Sequence, residues 1–144
     1  MTGTLPSWPP RTIAILTTLS GPPDHGPHAI PVSAPVRADD HTVLLALHRT
    51  RGSLARLRER PHVALTVLAE NDIAFTVRGT ARVVDEPMAA DPDYVSVAIT
   101  ATDIDDHRQP GFVVEAGIDR RWIDTEQRDA LAARVRALTT ATSA

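Results

Sequence analysis

Ile73-Ala74-Phe75-Thr76-Val77-Arg78-Gly79-Thr80-Ala81-Arg82-Val83-Val84 is the stretch on which the fold turns. Ile73, Phe75, Val77, Gly79, Ala81 and Val83 alternate with Ala74, Thr76, Arg78, Thr80, Arg82 and Val84. That period of two is the signature of a strand with one face against a core. At ~3.3 Å per residue it would run roughly 40 Å, too long to stay flat in a small domain. Gly79, near its middle, is where such a strand is expected to bend as a barrel curls.

Upstream, the turn Glu70-Asn71-Asp72 joins this strand to an apolar one, Val63 to Ala69. Before that, Gly52 to Arg60 reads as a short helix, with Ser53 able to cap it, Leu54 and Leu57 on one face, and Pro61 as its stop. Thr42 to Leu47 is a buried strand entered through Asp39-Asp40-His41. Ala29 to Val36 sets Ile30, Val32, Ala34 and Val36 against Pro31, Ser33 and Pro35. Proline donates nothing to a ladder, so this strand belongs at an edge or faces something other than a strand. Thr12 to Leu19 is the first strand, followed by a Pro/Gly turn from Ser20 to Pro27.

Downstream, Tyr94 to Thr102 alternates again, Asp103 to Gly111 reads as a polar loop, and Phe112 to Ala116 and Arg120 to Ile123 are short strand candidates. Asp124 and Gln127 have capping-box spacing for a last helix with Leu131, Val135 and Leu138 on one stripe. The expected fold is mainly β with a few helices: six or seven antiparallel strands in a barrel or sandwich, a short helix after the third strand and a C-terminal helix. Residues 1–11 are expected to be a flexible N-terminus and residues 12–144 a single domain.

Composition narrows the chemistry. The chain has 144 residues, 42% apolar and 23% charged, with two Phe, two Trp and one Tyr. A core of Val, Ile, Leu and Ala could be completed by a cofactor ring or a partner subunit. With no cysteine there are no disulfides, thiol nucleophiles or thiolate metal sites. A net charge of −3 gives no reason to expect nucleic acid, and no apolar run approaches the ~18 residues of a membrane span. The N-terminus lacks the pattern of a secretory signal, so the cytoplasm is the expected location. All fifteen basic residues are arginine. An anion must therefore be held by Arg, backbone N–H groups or hydroxyls.

His48-Arg49-Thr50-Arg51-Gly52-Ser53 gathers two arginines and two hydroxyls between a buried strand and a helix start. Such a corner suits a phosphate, because the helix dipole and the guanidinium forks act together. A solvated basic turn is the plain alternative.

The order of motifs resembles the flavin-binding split-barrel family typified by pyridoxamine 5′-phosphate oxidase. It is carried by Ile13-Ala14-Ile15-Leu16-Thr17-Thr18-Leu19, Gly26-Pro27-His28, Arg51-Gly52-Ser53-Leu54-Ala55-Arg56-Leu57, Arg60-Pro61-His62-Val63-Ala64-Leu65 and Val77-Arg78-Gly79-Thr80-Ala81-Arg82-Val83. The resemblance implies a split β-barrel with FMN at the interface of a homodimer. It places the phosphate near Arg49, Thr50, Arg51 and Ser53, with Arg56 a turn further on, and the ring near Pro31, Val32, Ser33 and Leu47. His48 ends its strand beside the expected phosphate and either faces the cofactor ring or caps the strand; Trp122 either packs in the core or dimer interface or approaches the partner's cofactor. Where the family often has lysine, this chain has Ser53. Either the arginines take over the phosphate, or the site has changed or been lost.

The implied function is oxidoreduction of a small organic substrate, with a deazaflavin coenzyme as the alternative cofactor and a non-catalytic flavin- or haem-binding module as the alternative class. Asp24, His25 and His28, and separately Asp103, Asp105 and Asp106, read as solvated loops rather than metal sites. No serine sits in a hydrolase motif, and there is no Walker or Rossmann glycine pattern.

Overall fold

The computed structural model describes residues 3–143. Seven strands and two helices follow in order: β1 (Ile13–Leu19), β2 (Pro27–Ser33), β3 (Val36–Asp39), β4 (Thr42–His48), α1 (Gly52–Glu59), β5 (His62–Ala69), β6 (Ile73–Asp85), β7 (Tyr94–Asp106) and α2 (Thr125–Ser143). The strands form one sheet in the order β2-β1-β5-β6-β7-β4-β3, each pairing antiparallel. The sheet curls into a split barrel. Its β2 flank comes back towards β4, but no ladder joins the two.

Curling is written into β6. Its alternation survives as burial of Phe75, Val77, Gly79 and Ala81, and its register with β7 shifts between Arg78 and Gly79. A Cβ on Gly79 would run into the Thr100 carbonyl. The two long strands thus approach where only glycine fits, and the bulge there adds bend. Inside, Leu16, Leu45, Leu65, Val67, Val77, Val95, Val97 and Ile99 are fully buried. Burying each such side chain stabilises by about 1.5–3 kcal/mol. Helix α1 adds Leu54 and Leu57 to this core.

Several expectations need correction. The stretch Ala29–Val36 is not one strand: Ala34 takes a left-handed φ of 51° and splits it into β2 and β3. The break is held by Ala34 N–H donating to the Thr12 carbonyl at 2.8 Å. As a result the short helix follows the fourth strand. Strand β7 continues to Asp106, into the expected polar loop, because Arg78 across the ladder pairs with Asp105 (3.0 Å) and Asp103 (3.7 Å). Phe112–Ala116 and Arg120–Ile123 are not strands; Phe112 makes only an isolated bridge to Gln109. Ser53 does not cap α1. Arg51 is the N-cap, without a side-chain cap bond, and Ser53 lies buried in the first turn.

In the N-terminal segment, Leu5 is buried and its N–H donates to the Asp40 carbonyl (2.9 Å). Trp8 Nε1 donates to the Pro35 carbonyl (2.8 Å), and its ring lies 5.8 Å from Phe75.

The strandless segment 107–124 is nevertheless fastened at intervals. His107 N–H donates to the Ala74 carbonyl (2.9 Å), and Val114 and Asp72 exchange two bonds of 2.9 Å. Gly117 lies so close to the Leu68 carbonyl that a Cβ would collide with it. Arg120 Nη1 donates to Ser33 Oγ (2.8 Å). This strap leads to α2, where Asp124 Oδ1 accepts the N–H groups of Glu126 (2.9 Å) and Gln127 (3.3 Å), the expected cap.

Candidate functional site

The split between β2 and β4 opens into a cavity of about 480 Å³. One wall is β2 and the following turn, Ile30 to Ala34; the opposite wall is Ala46, Leu47 and His48 of β4. Tyr94 and the turn residues Thr50 and Arg51 close one end, and α2 covers the mouth with Leu131, Arg134, Val135 and Leu138. The cavity lies between the unpaired edge of β2 and β4, which is already paired with β7 and β3; within β2 Pro31 has no N–H, and Ala34 turns the chain away after it.

The end beside α1 is tightly built. His48 stands opposite Tyr94 in the β4–β7 register, their rings edge to face at 5.2 Å. Arg51 N–H donates to the His48 carbonyl (2.9 Å), and Thr50 N–H donates to His48 Nδ1 (3.2 Å). A nitrogen that accepts that bond carries no proton, so the neutral ring bears its hydrogen on Nε2. Thr50 Oγ1 lies 2.8 Å from the same Nδ1. Over Tyr94 lies the Arg134 guanidinium, 3.7 Å from the ring centre, with Nη1 bonded to Asp91 Oδ2 at 3.0 Å. Among the described residues no carboxylate lines the cavity, whereas two arginines and a histidine do.

The structure brings Pro31, Val32, Ser33, Leu47, His48, Thr50 and Arg51 together around this cavity. The other expected site residues lie off it. Arg49 faces Asp93 (3.4 Å) on the surface. Ser53 is buried behind the turn with an unpartnered Oγ. Arg56 Nε donates to Thr18 Oγ1 on β1 (2.8 Å). Trp122, which does not line the cavity, lies under Arg120 (4.4 Å), and Arg120 donates to Ser33 Oγ (2.8 Å). Burial lowers the Arg120 guanidinium from its ordinary value.

A family model for pyridoxamine 5′-phosphate oxidase matches residues 7–115. The chain belongs to this family. Solved structures give the same architecture at low identity. An F420 reductase aligns over 68% of this chain and 91% of its own, with 18% identity and a TM-score of 0.56. A FAD-binding protein from Mesorhizobium loti aligns over 65% and 83%, at 13% identity and TM-score 0.52. General Stress Protein 26 from Bacillus anthracis aligns over 65% and 82%, at 16% identity and TM-score 0.51. At these identities the likeness is one of fold. No curated protein matches the chain in sequence.

Within the pyridoxamine 5′-phosphate oxidase family frame, sequence reasoning missed the α2 wall and Tyr94. Two signals were there: Tyr94 is the sole tyrosine, and Arg134 interrupts the apolar stripe of Leu131, Val135 and Leu138. Elsewhere, Ser20, Asp24 and His28 cluster, but His28 Nε2 contacts both Asp24 (2.7 Å) and Ser20 (3.2 Å), while Ser20 Oγ donates to Asp24 (2.7 Å). A relay would divide the two partners between the two ring nitrogens, so this serine is not activated. Hydrogen bonds from Ser20 and His28 hold the Asp24 carboxyl below its usual range. Among the described residues no group of three or more His, Cys, Asp or Glu is placed to hold a metal ion. No described helix is long and apolar enough to cross a membrane.

Proposed function

We propose that the cavity holds a flavin nucleotide, FMN foremost, and that the protein is a flavin-dependent oxidoreductase acting on a small organic molecule. The observation that carries this reading is the cavity's lining: largely apolar strand walls, the hydroxyls of Thr50 and Tyr94 and two arginines at one end, and no carboxylate among the described residues. A volume of about 480 Å³ lies within the ~300–1,000 Å³ range of ligand and cofactor sites. The phosphate would meet Thr50 and Arg51 next to the positive end of α1, which favours an anion by about 0.3–1 kcal/mol. The planar ring would lie against Pro31, Val32, Ser33 and Leu47, with His48 Nε2–H as a donor at its edge. Arg49, Arg56 and Trp122 would support the site from outside the cavity, while Ser53 would only pack the first turn of α1. A bound flavin would supply hydride and single-electron chemistry, while the chain binds, orients and shields it.

A homodimer belongs to the same proposal. Phe112, Val113, Ile118 and Ile123 are exposed along the strap, and Ile123 is 88% exposed. A second copy of the chain is the occupant the family resemblance implies for such a face. The F420 reductase likeness motivates a deazaflavin coenzyme as the alternative cofactor.

The test is a spectral titration of purified protein with FMN and with the deazaflavin coenzyme. Binding at or below roughly tens of micromolar, with bands that bleach on reduction and recover with an acceptor, is the expected outcome. Arg51→Ala should weaken FMN by about 10- to 100-fold, the loss of a charge-assisted bond. Arg58→Ala should leave affinity unchanged, because Arg58 pairs with Glu86 away from the cavity. No spectral change with either compound, or a Soret band on haem addition instead, would sink the flavin reading.

A further inference from the structure

We propose that Arg134, carried by the C-terminal helix, is a second anchor for the ligand's phosphate and makes the site select phosphorylated over unphosphorylated ligands. The inference rests on the flavin reading above and deepens it.

Arginine carries five N–H donors and no acceptor. Of those on Arg134, one Nη1 hydrogen is bonded to Asp91; no other hydrogen bond engages the guanidinium among the described residues. The side chain is 11% exposed, and Nε is wholly buried without a partner. Buried donors are ordinarily satisfied, so a guanidinium this enclosed with most donors idle needs an acceptor from elsewhere. The cavity is the space from which one can arrive, since Arg134 lines it together with Thr50 and Arg51.

Position and orientation agree. Arg134 stacks on Tyr94, Tyr94 meets the His48 ring, and His48 is bonded to Thr50, so the guanidinium belongs to the same end of the cavity as the turn. Stacking on the Tyr94 ring and the bond to Asp91 hold its plane, the preorganisation that makes an arginine fork effective towards phosphate oxygens. Docking of α2 would be served as well by a leucine here, within the stripe of Leu131, Val135 and Leu138. An arginine buried for docking alone carries a desolvation cost that Asp91 offsets only in part. A dianionic phosphate monoester facing two guanidinium groups, one from the turn and one from the helix, uses both.

Fluorescence titrations with FMN and with riboflavin, which lacks the phosphate, test this on the wild type, Arg134→Gln and Asp91→Asn. Arg134→Gln should weaken FMN by about tenfold or more and leave riboflavin within about twofold. Asp91→Asn should leave FMN as tight or tighter, because the amide oxygen can still accept the Arg134 bond and hold its plane while the competing negative charge is gone. Equal losses of FMN and riboflavin in Arg134→Gln, or matching FMN losses in the two variants, would show that Arg134 only docks the helix and would overturn the proposal. A wild type that binds neither FMN nor the deazaflavin coenzyme overturns the flavin reading separately. In that case inorganic pyrophosphate decides the role of Arg134. Slowed hydrogen exchange in α2 of the wild type, absent in Arg134→Gln, supports the anchor, and no slowing in the wild type removes it.

Discussion

The seam of β5, β6 and β7 and the rim of β2, β4 and α2 draw on the same stock of Val, Ile, Leu and Ala, yet they end differently. In the seam every strand has a neighbour, and Leu65, Val67, Val77, Val97 and Ile99 are fully buried. At the rim, β2 is paired on one edge only and faces β4, itself paired with β7 and β3, across about 480 Å³. The difference is made by the backbone. Pro31 has no N–H, Ala34 turns left-handed and Pro35 follows, and beside this free edge Ile30, Val32 and Leu47 line a cavity. The cavity thus goes with a free strand edge rather than with any shortage of core residues.

The comparison can be broken by stability measurements. Leu65→Ala in the seam should cost about 2–5 kcal/mol in denaturant unfolding, whereas Ile30→Ala at the rim should cost less than half as much. Equal costs would mean that the rim is packed as firmly as the seam. Gly79→Ala should cost about 1–3 kcal/mol, since its Cβ must push against the Thr100 carbonyl. Gly111→Ala, with nothing within 4 Å of the added carbon, is the control and should stay within about 0.5 kcal/mol.

Ser53→Ala sharpens the boundary between the two regions. Ser53 lies on the packed side, two residues from cavity-lining Arg51, and its hydroxyl has no partner. Removing it should raise the melting temperature slightly, a gain of up to about 1 kcal/mol, and leave FMN affinity unaltered. A lowered melting temperature would show that the hydroxyl is in use.

The smallest effect is expected at the exposed end of the seam. Hydrogen bonds from Arg108 hold the Asp106 carboxyl down to about 2, against an ordinary 3.8. With the folded value below the unfolded one, its contribution is complete above pH 3.8 and is lost as pH falls towards 2. Asp106→Asn should therefore flatten the stability curve across that interval, read from acid unfolding followed by circular dichroism. An unchanged slope would show that the pair adds nothing to folding.

Most of the seam was legible because alternation is a local signal: Ile73 to Val84 could be read without knowing its partners. The end of β7 was not, since Asp103 and Asp105 look like loop residues until Arg78 stands across the ladder from them. Ala34 hid for the opposite reason: it kept the period of two while its φ changed sign. Phe112–Ala116 and Arg120–Ile123 had strand composition but no neighbour to pair with. At the site, the β2 and β4 walls and the Thr50–Arg51 turn were readable from the order of motifs. The covering helix was not, because Leu131, Val135 and Leu138 look the same whether a helix packs on a core or closes a mouth.

The strap that delivers that helix fixes how the mouth can behave. Its last fastening is Arg120 to Ser33, and only the four residues Arg121 to Asp124 separate it from α2. Fully extended they reach at most about 14 Å. A released helix would therefore stay at an effective concentration on the order of millimolar or above. Reclosure is then a unimolecular event, unaffected by dilution, and every ligand enters in competition with a cover that never leaves the molecule.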